Sequence, residues 1–136
     1  MQKRILIVED NPMNMELATD LLEAHGYQVL QATAVPEARE ALRAATPDLI
    51  LLDIQLPGLD GLALAKELQE DPRSKDIPVL ALTAHAMKGD EARTRAAGCR
   101  AYIAKPIDVA EFLATVAQHV AGRRAAADGD GREASP

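Results

Sequence analysis

Five short apolar runs, each followed by a stretch with helical spacing, restrict this chain more than any other feature. Residues 4–8 (RILIV) are continuously apolar, the mark of a strand buried on both faces. A helix follows from Pro12 to His25: Asn11 can cap it, Pro12 suits its first turn, and Gly26 sits just beyond its end. Tyr27 to Ala32 reads as a second strand. Pro36 opens a helix with Val35, Ala38 and Leu42 at helical spacing, and Pro47 closes that region. Residues 48–53 (DLILLD) form the third and most apolar strand. Asp60 then caps a helix that carries Leu64 and Leu68 on one face and ends near Pro72.

Residues 78–83 (PVLALT) are the fourth strand. The helix after it, over 87–97, is charged and Ala-rich, with no large aliphatic stripe, and is expected to be the least firmly packed. Residues 101–104 (AYIA) form a short fifth strand. The last helix starts at Asp108, with Glu111 three residues on as in a capping box. Its stripe is Val109, Phe112, Leu113, Val116, Ala117 and Val120. From Gly122 onward apolar periodicity stops. The domain is therefore expected over 1–121, with a disordered tail over 122–136.

Strands that alternate with helices through short connections imply a doubly wound α/β domain, a parallel sheet with helices on both faces. Ligands of such sheets sit beyond the carboxyl ends of the strands, where the strand order reverses. Those ends carry the chemistry here. The first strand ends in Glu9-Asp10, the third in Asp53, the fourth in Thr83, and the fifth runs into Lys105-Pro106. Clustered carboxylates resist ionisation unless a cation joins them. Mg2+ takes oxygen ligands and keeps several waters, so two carboxylates and a backbone carbonyl suffice. A phosphoryl group on Asp53 would then be offset by the cation and by the Lys105 ammonium, with a hydrogen bond from the Thr83 hydroxyl.

Bulk properties narrow the functions. The chain has 136 residues, one domain's worth, and 48% of them are hydrophobic. Its aromatics are Tyr27, Tyr102 and Phe112, so the core is aliphatic. A net charge of −6 argues against direct contact with nucleic acid. Cys99 is the single cysteine, which rules out an internal disulfide and suits a reducing cytoplasm. The opening apolar stretch is too short for a signal peptide, and no later stretch reaches the length of a membrane span.

Over residues 3–121 the chain resembles the receiver domains of two-component response regulators. The resemblance rests on Glu9-Asp10, Asp53 within LLDIQLPGLDG, Thr83-Ala84 and Lys105-Pro106, in that order on those strand ends. It implies a flavodoxin-like (βα)5 sheet of order 2-1-3-4-5. It further implies that Asp53 is the phosphoacceptor, that Asp10, Asp53 and the Gln55 carbonyl bind Mg2+, and that Glu9 acts through water. Thr83, Ala84 and Lys105 would bind the phosphoryl group, Tyr102 would be an aromatic switch residue, and the bond before Pro106 would be cis. Gln55 and His85 would tune hydrolysis. The donor would be a histidine kinase or histidine phosphotransfer protein. The surface of the fourth helix, fifth strand and fifth helix would meet a downstream protein. ILIVEDNPMNMELATDLLEAHGY and HAMKGDEARTRAAGCRAYIAKPI look especially like stand-alone receivers of bacterial cell-cycle and polarity control. The segment after residue 121 is too short and polar for an output domain; of a stand-alone protein and one domain of a longer chain, the start at Met1 slightly favours the former as the expectation.

Each piece has a plainer reading by itself. Glu9-Asp10 could cap a helix, Asp53 could favour the turn after it, Thr83 could satisfy a backbone group, and Lys105 could be a solvated strand end. Their joint occurrence favours the site. Two other functions compete with the signalling switch. An aspartate-based phosphohydrolase typically carries Asp-x-Asp on its first strand and a cap domain, and both are missing here. A degenerate, purely binding receiver usually lacks an acidic or lysine residue that this chain retains. The expected activity is self-phosphorylation and dephosphorylation, not turnover of metabolites. His25 and His119 are expected to face solvent, Cys99 to pack, and Met13, Met15 and Met87 to take filling or rim positions.

Overall fold

The computed structural model describes residues 2–55, 61–83 and 88–128, with 88–91 and 121–128 described by backbone alone. Its elements are β1 (Arg4–Val8), α1 (Pro12–Ala24), β2 (Gln28–Ala32), α2 (Val35–Ala44), β3 (Leu49–Asp53), α3 (Gly61–Glu70), β4 (Val79–Thr83), α4 (Lys88–Ala96), β5 (Ala101–Ala104) and α5 (Val109–Asp128). The strands form one parallel sheet in the order β2-β1-β3-β4-β5. β3 and β4 are buried at every residue, as their unbroken apolar runs require, because helices cover both faces of the sheet.

Strand alternation sends successive side chains into two separate cores. On one face Ile5, Ile7, Leu49, Leu51, Leu80, Leu82 and Ile103 meet Met15, Ala18 and Leu22 of α1 and Phe112, Val116 and Val120 of α5. On the other, Leu6, Val8, Ile50, Leu52, Val79 and Ala81 meet Val35 and Ala38 of α2 and Leu64, Ala65 and Leu68 of α3. The aliphatic core expected from composition is thus divided by the sheet.

Several boundaries differ from the sequence reading, each for a local reason. β2 begins at Gln28, because the Tyr27 amide bonds back to the Leu22 carbonyl at 3.1 Å and so belongs to the end of α1. β4 begins at Val79, since Pro78 has no amide to place in the ladder. In α5, Val109 and Ala117 are exposed; the buried line is Phe112, Val116 and Val120, one residue every four. α5 runs on past the end of its apolar stripe, to Asp128. Alanines and arginines at 123–127 are strong helix formers, and extending a formed helix needs no new nucleus. Residues 129–136, the capping Asp60 and Met87 lie outside the described residues.

Of the α4 side chains at 92–96, Thr94 is buried, while Ala92, Arg93, Arg95 and Ala96 are exposed.

Candidate functional site

Register brings the strand ends together. Val8 lies beside Leu52, so Glu9 follows level with Asp53. Asp53 lies beside Leu82, and Thr83 beside Ala104, so Lys105 follows at the same rim. Parity does the rest. Glu9, Asp53 and Lys105 continue, two residues on, the faces of Ile7, Leu51 and Ile103, which lie in the α1 and α5 core. All three therefore start from one side of the sheet.

The contacts follow from that placement. The Lys105 ammonium stands 3.1 Å from Asp53 Oδ2 and 2.9 Å from Glu9 Oε1. Asp53 Oδ1 accepts the Gln55 amide at 2.9 Å. Glu9 and Asp53 are almost fully buried, and the Lys105 side chain is 13% exposed. Thr83, wholly buried, ends β4 between them, and its carbonyl accepts the Lys105 amide at 2.8 Å. The Lys105–Pro106 bond is cis.

Residues 9–11 are tied down by their own chemistry. The Glu9 amide donates to the Ala32 carbonyl at 3.0 Å, and the Asn11 amide donates to Glu9 Oε2 at 3.1 Å. Asn11 Oδ1 caps α1 by accepting the Met13 and Asn14 amides at 2.9 and 3.0 Å. The exposed Asp10 sits between these two anchored residues.

The electrostatics are those of a site short of positive charge. Burial pushes the Glu9 carboxyl above its usual value, against the opposing effect of Lys105 and the Asn11 amide; nearby Asp53 adds to the rise. Burial alone would lower Lys105, but its bonds to Glu9 and Asp53 outweigh this and raise it. Glu9 Oε1 is shut off from solvent and lies 2.9 Å from the Lys105 ammonium, which it shares with Asp53.

Glu9, Asp10 and Asp53 can each offer a carboxylate oxygen, all within 4.8 Å of one another. A hard divalent cation with waters in its shell fits this set: it takes oxygen ligands, and three carboxylates facing one ammonium leave negative charge for it to offset. The arrangement presents a carboxylate flanked by a lysine and by a place for a cation, the parts needed to bind a phosphoryl group.

The other sequence-predicted residues are placed as follows. Gln55 is exposed, with its amide on Asp53. Tyr102 is half-buried on the opposite face, against the α2 and α3 core. Ala84 and His85 lie outside the described residues. His25 is exposed, whereas His119, expected in solvent, is half-buried with Nδ1 2.9 Å from the Thr115 carbonyl. Cys99 is buried in the α2 and α3 core. Met15 is buried and Met13 exposed.

Gly61 is a site residue that sequence reasoning missed. A Cβ there would lie 2.5 Å from Ile54 Cα and 2.6 Å from the Asp53 carbonyl oxygen. Glycine thus lets α3 begin directly against the backbone of Asp53. The only sequence signal was a glycine at the start of a helix. A cleft of about 780 Å3 between α2 and α3, rimmed by Arg39, Arg43 and Arg73, includes none of the three carboxylates.

The chain also resembles known proteins. Residues 5–117 match the response regulator receiver domain. The polar-differentiation response regulator DivK of Brucella ovis is 49% identical over 120 residues, which span 88% of this chain and 98% of that protein. Among solved structures, the receiver domain of the sensor histidine kinase PA1611 from Pseudomonas aeruginosa PAO1 is 32% identical, with a TM-score of 0.81 over 89% of this chain and 99% of the other. That structure has a magnesium ion coordinated in its active-site cleft. A CheY-like receiver from Methanospirillum hungatei JF-1 is 26% identical, with a TM-score of 0.83 over 91% of this chain and 98% of the other. Among the described residues no helix is long and apolar enough to cross a membrane. With the sheet order, the strand-end residues and these likenesses in agreement, the chain belongs to the response regulator receiver domain family and is DivK-like within two-component signalling.

Proposed function

We propose that this receiver takes a phosphoryl group onto Asp53 from a phosphohistidine of a histidine kinase or histidine phosphotransfer protein. The observation that carries the reading is the convergence of Lys105 on both Asp53 and Glu9. An Asp53 oxygen attacks phosphorus, the bond from phosphorus to the donor imidazole nitrogen breaks, and the imidazole leaves with the electron pair. Lys105 orients the Asp53 carboxylate and, with Thr83 and the Ala84 amide, holds the phosphoryl oxygens. Asp10, Asp53 and the Gln55 carbonyl would hold Mg2+, with Glu9 acting through water. The bound ion supplies positive charge against the charge building on the transferred group.

Gln55 and His85 border the phosphoryl group in this reading and set how readily water removes it. Phosphorylation shifts a balance of conformations in which Thr83 moves toward the phosphate and Tyr102 turns inward. The α4, β5 and α5 surface then changes its affinity for a downstream protein in cell-cycle or polarity control. The sparse packing of α4 supports this, since a switching element needs low local stability. A cytoplasmic home accords with the free thiol of Cys99.

Incubation with acetyl phosphate and Mg2+, followed by intact-mass measurement, is the test. Wild type is expected to gain one phosphoryl group, and chelation or Asp53→Asn to abolish the gain. Equal labelling of Asp53→Asn would sink the proposal. Steady turnover of small phosphate esters would instead mark a phosphohydrolase.

A further inference from the structure

α4 ends in a turn that needs glycine. Gly98 has φ of +101°, its amide bonds to the Arg95 carbonyl at 3.0 Å, and the next amide, of Cys99, reaches back to the Thr94 carbonyl at 2.9 Å. A neighbour presses on this turn from α3. A Cβ added at Gly98 would lie 2.1 Å from Gln69 Cγ and 2.8 Å from Gln69 Cδ, so the glutamine occupies the space that any larger residue would fill.

The seam is incompletely satisfied. Gln69 Nε2 is sealed from solvent and has no acceptor among the described residues. A buried amide donor without a partner disfavours the arrangement that contains it, relative to one that gives it a carbonyl or water. α3 is anchored by the buried Leu64, Ala65 and Leu68, whereas among the described side chains of α4 only Thr94 is buried, so α4 is the less firmly held side of this contact.

We propose that Gln69 is a positioning residue for α4. Its methylenes wedge against Gly98 and hold the helix end in the resting position, while its unmet N–H keeps that position only weakly preferred. The last turn of α4 carries backbone carbonyls, and a small displacement offers one to the waiting donor. The side chain both holds the helix and lowers the cost of releasing it. The functional consequence rests on the phosphorylation reading above.

The probe is beryllofluoride with Mg2+, a phosphoryl mimic, titrated into full-length wild type, Gln69→Leu and Gln69→Ala. Binding is followed by NMR, and amide hydrogen exchange is measured over 92–99. Gln69→Leu keeps the wedge and removes the donor. It is expected to need about tenfold more probe for half-saturation, with slower exchange in α4. Gln69→Ala removes the wedge and is expected to speed exchange in α4 and lower the requirement. Titration and exchange of Gln69→Leu unchanged from wild type would overturn the inference. If wild type takes up no beryllofluoride, the Asp53 reading fails separately, and α4 exchange in the two variants still decides whether Gln69 positions the helix.

Discussion

Lys105 and Asp53 are 52 positions apart in sequence, yet the ammonium lies 3.1 Å from Asp53 Oδ2. The same ammonium serves Glu9, so one cation balances two buried carboxylates. Lys105→Met leaves both acids without it. We expect a loss of about 1–3 kcal/mol in urea unfolding at pH 7. Adding Glu9→Gln should stabilise that variant by more than it stabilises wild type. Simple additivity of the two changes would mean that the pair does not interact.

Glu9 is expected to make stability depend on pH in the sense opposite to most carboxylates. Its folded-state value is raised above 4.5, so the folded protein holds this proton to higher pH than the unfolded chain. The stability that protonated Glu9 provides is full below pH 4.5 and is lost as pH rises through the folded value. Glu9→Gln should therefore be more stable than wild type at pH 7, with the difference closing toward pH 4.5. Urea titrations across this range measure it, and a gap that widens on acidification would contradict the burial argument. Lys105 acts on the alkaline side: its raised value means that its contribution is present below 10.5 and lost as pH rises through the folded value.

Gly61→Ala should disturb the site from the backbone side. The new methyl would meet three backbone atoms, of Asp53 and Ile54, rather than a side chain that can swing away. A loss of about 1–3 kcal/mol is expected, together with slower labelling of Asp53 by acetyl phosphate. Wild-type stability and labelling in this variant would show that α3 can start further from β3.

Much of this was legible before any coordinates. β3 and β4 were each read to within one residue, because strands buried on both faces have no polar alternation to confuse them, and Asn11, Pro12 and Gly26 fence α1 by local chemistry alone. Glu9, Asp53 and Lys105 could be grouped because each lies at a strand's carboxyl end. Gly61 was not legible, since its constraint comes from how closely α3 approaches Asp53, a distance that no pattern of residue types encodes. The same holds for Gln69, whose significance lies in a neighbour on another helix. The end of α5 could not be read from the stripe, because apolar periodicity stops at Val120 while helix propensity does not.

Cys99 provides a probe of the fold independent of the site. Burial pushes its thiol up to about 11. Thiolate is the reactive form, so a thiol reagent at pH 8 should modify native protein very slowly and urea-unfolded protein quickly. Rapid modification of the native form would mean that the α2 and α3 core opens readily around it.

The order β2-β1-β3-β4-β5 has a consequence for how such a molecule can change its chemistry. After β1 the chain departs over one face of the sheet through α1, and after β3 over the other through α3. The two paths diverge, and the notch at Glu9 and Asp53 arises from connectivity before any side chain is chosen. Substitutions that silence or retune the notch therefore need not disturb the framework. The scaffold can be inherited intact while its reactivity is rewritten at a few strand ends.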